Sequence, residues 1–305
     1  MPFQKLQATT YPPRLWGLVG YPGSGKSTFA TALRAPLLAI DADHRFTEVA
    51  ALAPEVYALS ETPADNANAD RIAAILAKQM PGTKIGTIVV DSLTAIITPL
   101  VVQALVDKDE GRVKNLAAAL RGKALAMRQL QDAVTRWGTD ALWIYHLNDA
   151  RDAQGNELTR ATVSATELVR LTRSINMQLE ITQADGKRGV KVVWARRGRS
   201  GVTLWDETGN WRGMPERIEQ AVYDGLSQAE QDKIAHSAPD VFASPELAIA
   251  WAVEQGAFDE VAHARNAYEK IKRDGKPNDA RAMATLWVAD VKRRIAENAE
   301  TNGDA

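Results

Sequence analysis

The sequence predicts an α/β fold: a mostly parallel sheet flanked by helices, antiparallel hairpins added late in the chain, and a small all-α domain at its end. Three observations carry this. An apolar run at 15–20 feeds a glycine-rich loop and then a helical stretch. Further apolar runs at 36–40, 85–90 and 142–145 alternate with helical periodicity, and the first two of these end in acidic residues. From Ile175 the apolar period changes to two, the spacing of half-buried strands.

Length and composition leave room for this. The chain has 305 residues, 45% hydrophobic and 25% charged, enough for one full α/β core and a second, smaller unit. The expected domains are 1–239 and 240–305. A net charge of −1 excludes bulk electrostatic attraction to nucleic acid, so any such contact needs a local basic patch. The absence of cysteine excludes a disulfide framework and thiolate metal sites and fits a reducing, cytoplasmic setting. No signal-like leader stands at the amino terminus and no apolar stretch approaches the roughly 20 residues of a spanning helix, so no membrane contact is expected.

In chain order, 1–13 reads as an extended lead-in ending in Tyr11-Pro12-Pro13. Leu15–Gly20 is a buried strand, and Gly20-Tyr21-Pro22-Gly23-Ser24-Gly25-Lys26-Ser27 then matches the P-loop pattern, with a helix over Thr28 to Arg34. The spacing has a chemical reason. A polyphosphate must be wrapped by backbone N–H donors, and Gly20, Gly23 and Gly25 supply the missing Cβ and the positive φ that this approach demands. Lys26 reaches the β- and γ-phosphates, the Ser27 hydroxyl ligates Mg²⁺, and Thr28 closes the loop.

Pro36 to Ile40 is a second buried strand that ends in Asp41-Ala42-Asp43, at the end of the sheet where open α/β folds bind ligands. A short helix, a strand near Val56 to Leu59 and a helix from Asp65 to Gln79 follow, broken by Met80-Pro81-Gly82. Ile85 to Val90 is a buried strand with Asp91 at its end, a Walker-B pattern in which the carboxylate holds the Mg²⁺ shell from the side opposite Ser27.

Ile96 to Val106 is helical, Asp107 to Lys114 a charged loop and Leu116 to Trp137 one long amphipathic helix. Leu142 to Tyr145 is a strand ending at His146. Asp149 to Ser164, polar and with Arg151 and Arg160, reads as a long mobile loop. Met177 to Ile181 and Val190 to Trp194 flank the turn signal Asp185-Gly186 and form a hairpin. A basic loop, Arg196-Arg197-Gly198-Arg199, leads to a second hairpin through Asp206 to Gly209, flanked by Trp205 and Trp211, whose aromatic rings are expected to pack. Met214 to Ala235 is a closing helix and Ser237 to Ser244 a linker. Ser244-Pro245 opens the first of three helices, at 245–255, 259–273 and 278–300. The stripes Val261, Ala264, Tyr268, Ile271 and Met283, Trp287, Val291, Ile295 form their core. This tail is mildly acidic, and nothing in it names a ligand.

Together, Gly20 to Ser27, Ile40-Asp41-Ala42-Asp43-His44 and Val89-Val90-Asp91-Ser92-Leu93 resemble the RecA-like recombinase family, most closely the compact RecA-like ATPases that phages use in single-strand annealing and recombination. The resemblance covers about residues 15–200. It implies ATP and Mg²⁺ as cofactors, hydrolysis, and action on single-stranded DNA by a homo-oligomer with nucleotide at the subunit interface. It also implies a single-strand binding or replication protein as a partner for the terminal helices. It places Asp43 where the family carries a water-activating glutamate, and His146 where a sensor glutamine is usual. It places the DNA-contacting loop at Leu147 to Ser164, and the residues that reach a neighbour's γ-phosphate near Arg196, Arg197 and Arg199. Two other classes share the P-loop: a scaffold that binds nucleotide without turnover, and a small-molecule phosphotransferase. The second needs a lid and an acceptor pocket that the sequence does not display.

Overall fold

The computed structural model describes residues 11–151, 157–226 and 241–303. Its frame is one sheet. Six strands run parallel: β1 (Leu15–Gly20), β2 (Leu37–Asp41), β3 (Val56–Ala58), β4 (Thr87–Asp91), β5 (Asp140–Arg151) and β7 (Met177–Ala184). Three are antiparallel additions: β6 (Glu157–Ala161) on β5, β8 (Lys187–Ala195) on β7 and β9 (Thr203–Trp205) on β8. The order across the sheet is β3-β2-β4-β5-β1-β7-β8-β9. This is the mostly parallel α/β core with antiparallel hairpins that the apolar runs predict.

The central strands are continuous apolar runs because both faces of the sheet are covered. In β1, Trp16 and Leu18 face one core, built with Phe29, Ile144, Leu179 and Ile218, while Val19 faces the other, built with Ile40, Val90, Trp143 and Leu130. Helices α1 (Lys26–Ala30) and α8 (Met214–Tyr223) cover the first face. The second is covered by α3 (Ala69–Gln79), after the single turn α2 (Pro63–Asn66), and by α4 (Leu93–Asp109), α6 (Arg121–Thr135) and α7 (Ala165–Ser174).

Several elements differ from the expectation. α1 starts at Lys26 and ends at Ala30; the bonds of Thr31, Ala32 and Leu33 to residues three back make the rest a tightening turn, since Pro36 bars further helix. The expected 116–137 helix is split at Leu120 into α5 (Leu116–Ala119) and α6. The long loop after His146 is instead a hairpin: β5 continues to Arg151 and pairs with β6, so that backbone groups of a polar segment are satisfied by the ladder and not by an apolar face. The second late hairpin is also displaced. β8 and β9 turn through the arginine loop, whereas Asp206 to Gly209 is a side-chain turn in which the Asp206 carboxylate accepts from the Thr208, Gly209 and Trp211 amides. The closing helix α8 ends at Tyr223; its expected extension beyond 226, most of the linker and the boundary at 239/240 lie outside the described residues.

Past that gap, Ser244 caps α9 (Pro245–Glu254) by accepting from the Leu247 amide, as its sequence predicts. α10 (Val261–Gly275) and α11 (Ala280–Gly303) close on the buried Trp287, whose indole donates to Ala248 O at 2.9 Å and whose ring stacks on Phe258 and meets Tyr268 edge-on. α9 packs on α7 and β6, so the helical tail shares apolar surface with the α/β unit. No helix among the described residues is long and apolar enough to cross a membrane.

Candidate functional site

The parallel strands align their carboxyl ends: Gly20 lies opposite His146, and Asp41 opposite Asp91. Turns leaving those ends line a cleft of about 410 Å³ with Pro22, Gly23, Gly25, Lys26, Ser27, Thr28, Asp43, Asp91 and His146. The expected phosphate loop, acidic pair and histidine thus meet at one place.

Each part of the loop has a local cause. Gly23 and Gly25 sit at φ 75° and 94°, conformations that a side chain strains. Gly20 does not use positive φ; it is needed because a Cβ there would stand 2.8 Å from Ser24 Oγ. The Lys26 amine donates to Gly20 O at 2.9 Å and Tyr21 O at 2.7 Å, so its charge lies under the loop. Burial lowers its pKa to about 8, against the pull of Asp91 and Asp43. The Ser27 hydroxyl donates to Asp91 Oδ2 at 2.6 Å. Burial pushes Asp91 up to about 6, opposed by that hydroxyl.

Asp43 Oδ2 lies 3.4 Å from His146 Nε2, and this contact holds the Asp43 carboxyl below the ordinary range, with Ser92 adding to it. His146 is fixed from its backbone, whose amide donates to Thr94 Oγ1 at 3.3 Å. Asp41 has a different job: its carboxylate accepts from the Arg45 and Phe46 amides and turns the chain so that Asp43 faces the cleft.

Arg197 and Arg199 are not brought to this cleft. β8 runs antiparallel to β7, and Ala195 pairs with Met177, itself level with Trp16, so the arginine loop lies at the amino end of the parallel strands. The Arg199 guanidinium donates to Asp224 O at 2.7 Å, past the last turn of α8. Arg196 reaches Glu254 on α9 and packs over Trp194.

The structure adds residues that the sequence reading missed. Arg45, Glu48 and Val49 also line the cleft, carried by the turn that Asp41 organises; their signal was proximity to Asp43 within one short turn. The Tyr21 hydroxyl bonds Asp149 Oδ1 at 2.7 Å and Thr159 Oγ1 at 2.8 Å, tying the phosphate loop to the β5–β6 hairpin. Trp205 is partly exposed, whereas Trp211 is fully buried, in line with the packing role read for it, and lies against the phosphate loop.

A Ser–Asp oxygen pair beside a buried lysine, at the carboxyl end of a mostly parallel sheet and beneath a glycine loop, is the arrangement of a P-loop α/β fold. Two solved structures are similar in outline. One is the crystal structure of the RadB recombinase, 17% identical, covering 64% of this chain and 87% of that one at a TM-score of 0.40. The other is the KaiC-like protein PH0186 from Pyrococcus horikoshii OT3, 16% identical, covering 64% and 85% at a TM-score of 0.39. No protein-family model matches the chain, and no curated protein does. The assignment therefore stands on the strand order and the geometry of the motifs.

Proposed function

We propose that the protein binds Mg·ATP in this cleft and hydrolyses it while acting on single-stranded DNA, in the manner of the RecA-like ATPases of phage annealing and recombination. The observation that supports this most is the 2.6 Å contact of Ser27 Oγ with Asp91, beside Lys26. A hydroxyl and a carboxylate are the hard oxygen donors that Mg²⁺ takes, with water and phosphate completing its shell. Bound there, the ion would neutralise phosphate charge. Lys26 has the reach to leave its carbonyls for phosphate oxygens. Asp43, held ionised by His146, is set to accept a proton from water and orient it toward the terminal phosphorus; the new O–P bond forms as the bond to the ADP oxygen breaks. The 410 Å³ cleft is within the range of small-molecule sites.

The proposed DNA contact is the β5–β6 hairpin with Arg151 and Arg160, because Tyr21 links it to the phosphate loop. Arg197 and Arg199 are proposed to serve a neighbouring subunit. Their place at the amino end means that such an assembly stacks head to tail, one protomer's amino end on the next one's cleft. Residues 240–305 are proposed as a helical domain, docked on the α/β unit through α9, that receives a single-strand binding or replication protein.

A steady-state ATPase assay with and without single-stranded DNA tests the reading. Magnesium-dependent turnover that DNA stimulates is the expected result; tight nucleotide binding without turnover points to a scaffold, and failure to bind nucleotide overturns the site. In the same assay, mixing the inactive Lys26→Ala protein with an Arg197→Ala/Arg199→Ala protein should restore turnover, because mixed interfaces pair an intact cleft with intact arginines. A co-assembled but inactive mixture removes the arginines from catalysis.

A further inference from the structure

We infer that Trp211 and Arg188, which come from the late antiparallel part of the chain, are positioning residues that fix the phosphate loop at Gly25. The inference rests on the reading of that loop as a nucleotide site. Trp211 is fully buried, and its indole N–H donates to Gly25 O at 3.1 Å. The same carbonyl accepts from the Phe29 amide at 2.9 Å, so the peptide that joins Gly25 to Lys26 is held by two donors. Arg188 closes the other side. Its guanidinium lies 5.4 Å above the Trp211 ring, donates to Gly209 O at 2.7 Å, and stands 2.8 Å from where a Cβ on Gly25 would be.

The way Trp211 is held argues that its place matters beyond filling space. Its φ is 64°, a left-handed conformation that costs free energy for a bulky residue and persists only where neighbours enforce it. The enforcement is visible: Asp206 accepts from the Trp211, Gly209 and Thr208 amides, and the Asp206 amide donates to Arg188 O at 2.8 Å. One compact turn therefore anchors to β8 through Arg188 and directs an indole N–H at the residue before Lys26. A phenylalanine would fill the volume against Phe29, which meets Trp211 edge-on at 5.9 Å, but would remove one of the two donors that hold the Gly25–Lys26 peptide and leave it to the Phe29 amide.

The test compares Trp211→Phe and Arg188→Gln with wild type in the full-length protein. Three quantities are read: Mg·ADP and Mg·ATP affinity by calorimetry, Tm without nucleotide, and the rise in Tm at saturating nucleotide. Loss of one such hydrogen bond is worth up to about tenfold in an equilibrium constant. Both variants should bind nucleotide roughly fivefold to tenfold more weakly and show a smaller nucleotide-induced rise in Tm, with KM raised more than kcat is lowered. A fall in nucleotide-free Tm with affinity unchanged means packing alone and overturns the inference. Should Trp211→Phe fail to fold, Arg188→Gln decides by the same readings. Lys26→Ala separates the two levels of the argument: if it binds as tightly as wild type, the nucleotide site itself is wrong, whereas weakened Lys26→Ala with unaltered Trp211→Phe and Arg188→Gln overturns only the positioning role.

Discussion

The two ends of the parallel strands use charge in opposite ways. At the amino end, Arg14 is 5% exposed and is held by Glu219, itself 8% exposed, at 2.6 Å, while its amide donates to Asp140, 1% exposed. Arg199 there is bonded to the carbonyl of Asp224, beyond α8. Most of this charge is answered within the chain, although burial still raises the Asp140 carboxyl against the pull of Arg14 and Arg34. At the carboxyl end, Lys26, Asp43 and Asp91 are half-buried or buried around an open cleft, with Asp91 pushed up and Lys26 pushed down in pKa by burial. Groups kept out of water without full compensation gain most from a ligand that brings complementary charge. The difference is one of surroundings: the amino end closes over its buried arginine, while the carboxyl end leaves its buried groups facing an open cleft.

That contrast can be broken from either side. The largest effect is expected at the amino end. Arg14→Ala leaves Glu219 buried without its partner and should cost about 3–5 kcal/mol of stability by chemical denaturation, yet nucleotide affinity of the folded fraction should stay as it was; reduced affinity would show that the two ends are not independent. Lys26→Ala should do the reverse. Turnover should fall by about 10²–10³, the loss typical of one charge-stabilising donor, while Tm holds or rises because a desolvated amine is gone; calorimetry and thermal unfolding read both. Asp43→Asn should slow single-turnover hydrolysis by about 10² and spare Mg·ATP binding, and an unaffected rate would leave Asp43 only the role of a partner for His146. The smallest effect belongs to Tyr21→Phe, which removes two partly exposed hydrogen bonds worth about 1 kcal/mol each at most. Nucleotide affinity should change less than twofold, and hydrogen exchange in 147–151 and 157–161 should speed up.

Much of the carboxyl end was legible because its logic is local. Gly20 to Ser27 and Asp91 carry their chemistry in short patterns next to apolar runs, and β1, β2, β4 and β5 supply those runs. The misreadings fall where structure depends on distant partners. The sequence of 147–161 has no apolar alternation, yet 147–151 and 157–161 find partners in each other and pair as antiparallel strands. Trp211 and Gly25 are separated by 186 positions in the chain, and no periodicity connects them. Likewise, the arginine loop follows a strand in the sequence much as a catalytic loop would, but the direction of β8 puts it at the far end of the sheet. Strand polarity is a topological fact that residue types do not encode.

The length of β5 gives the molecule a mechanical property. Its first half lies inside the sheet between β1 and β4, and its second half, from Leu147 to Arg151, pairs only with β6. At about 3.4 Å per residue that overhang is a stiff arm of roughly 17 Å, clamped at a fulcrum next to His146 and braced near its middle by Tyr21. Residues on either side of His146 therefore answer to different neighbours, the wide sheet before it and one antiparallel strand after it.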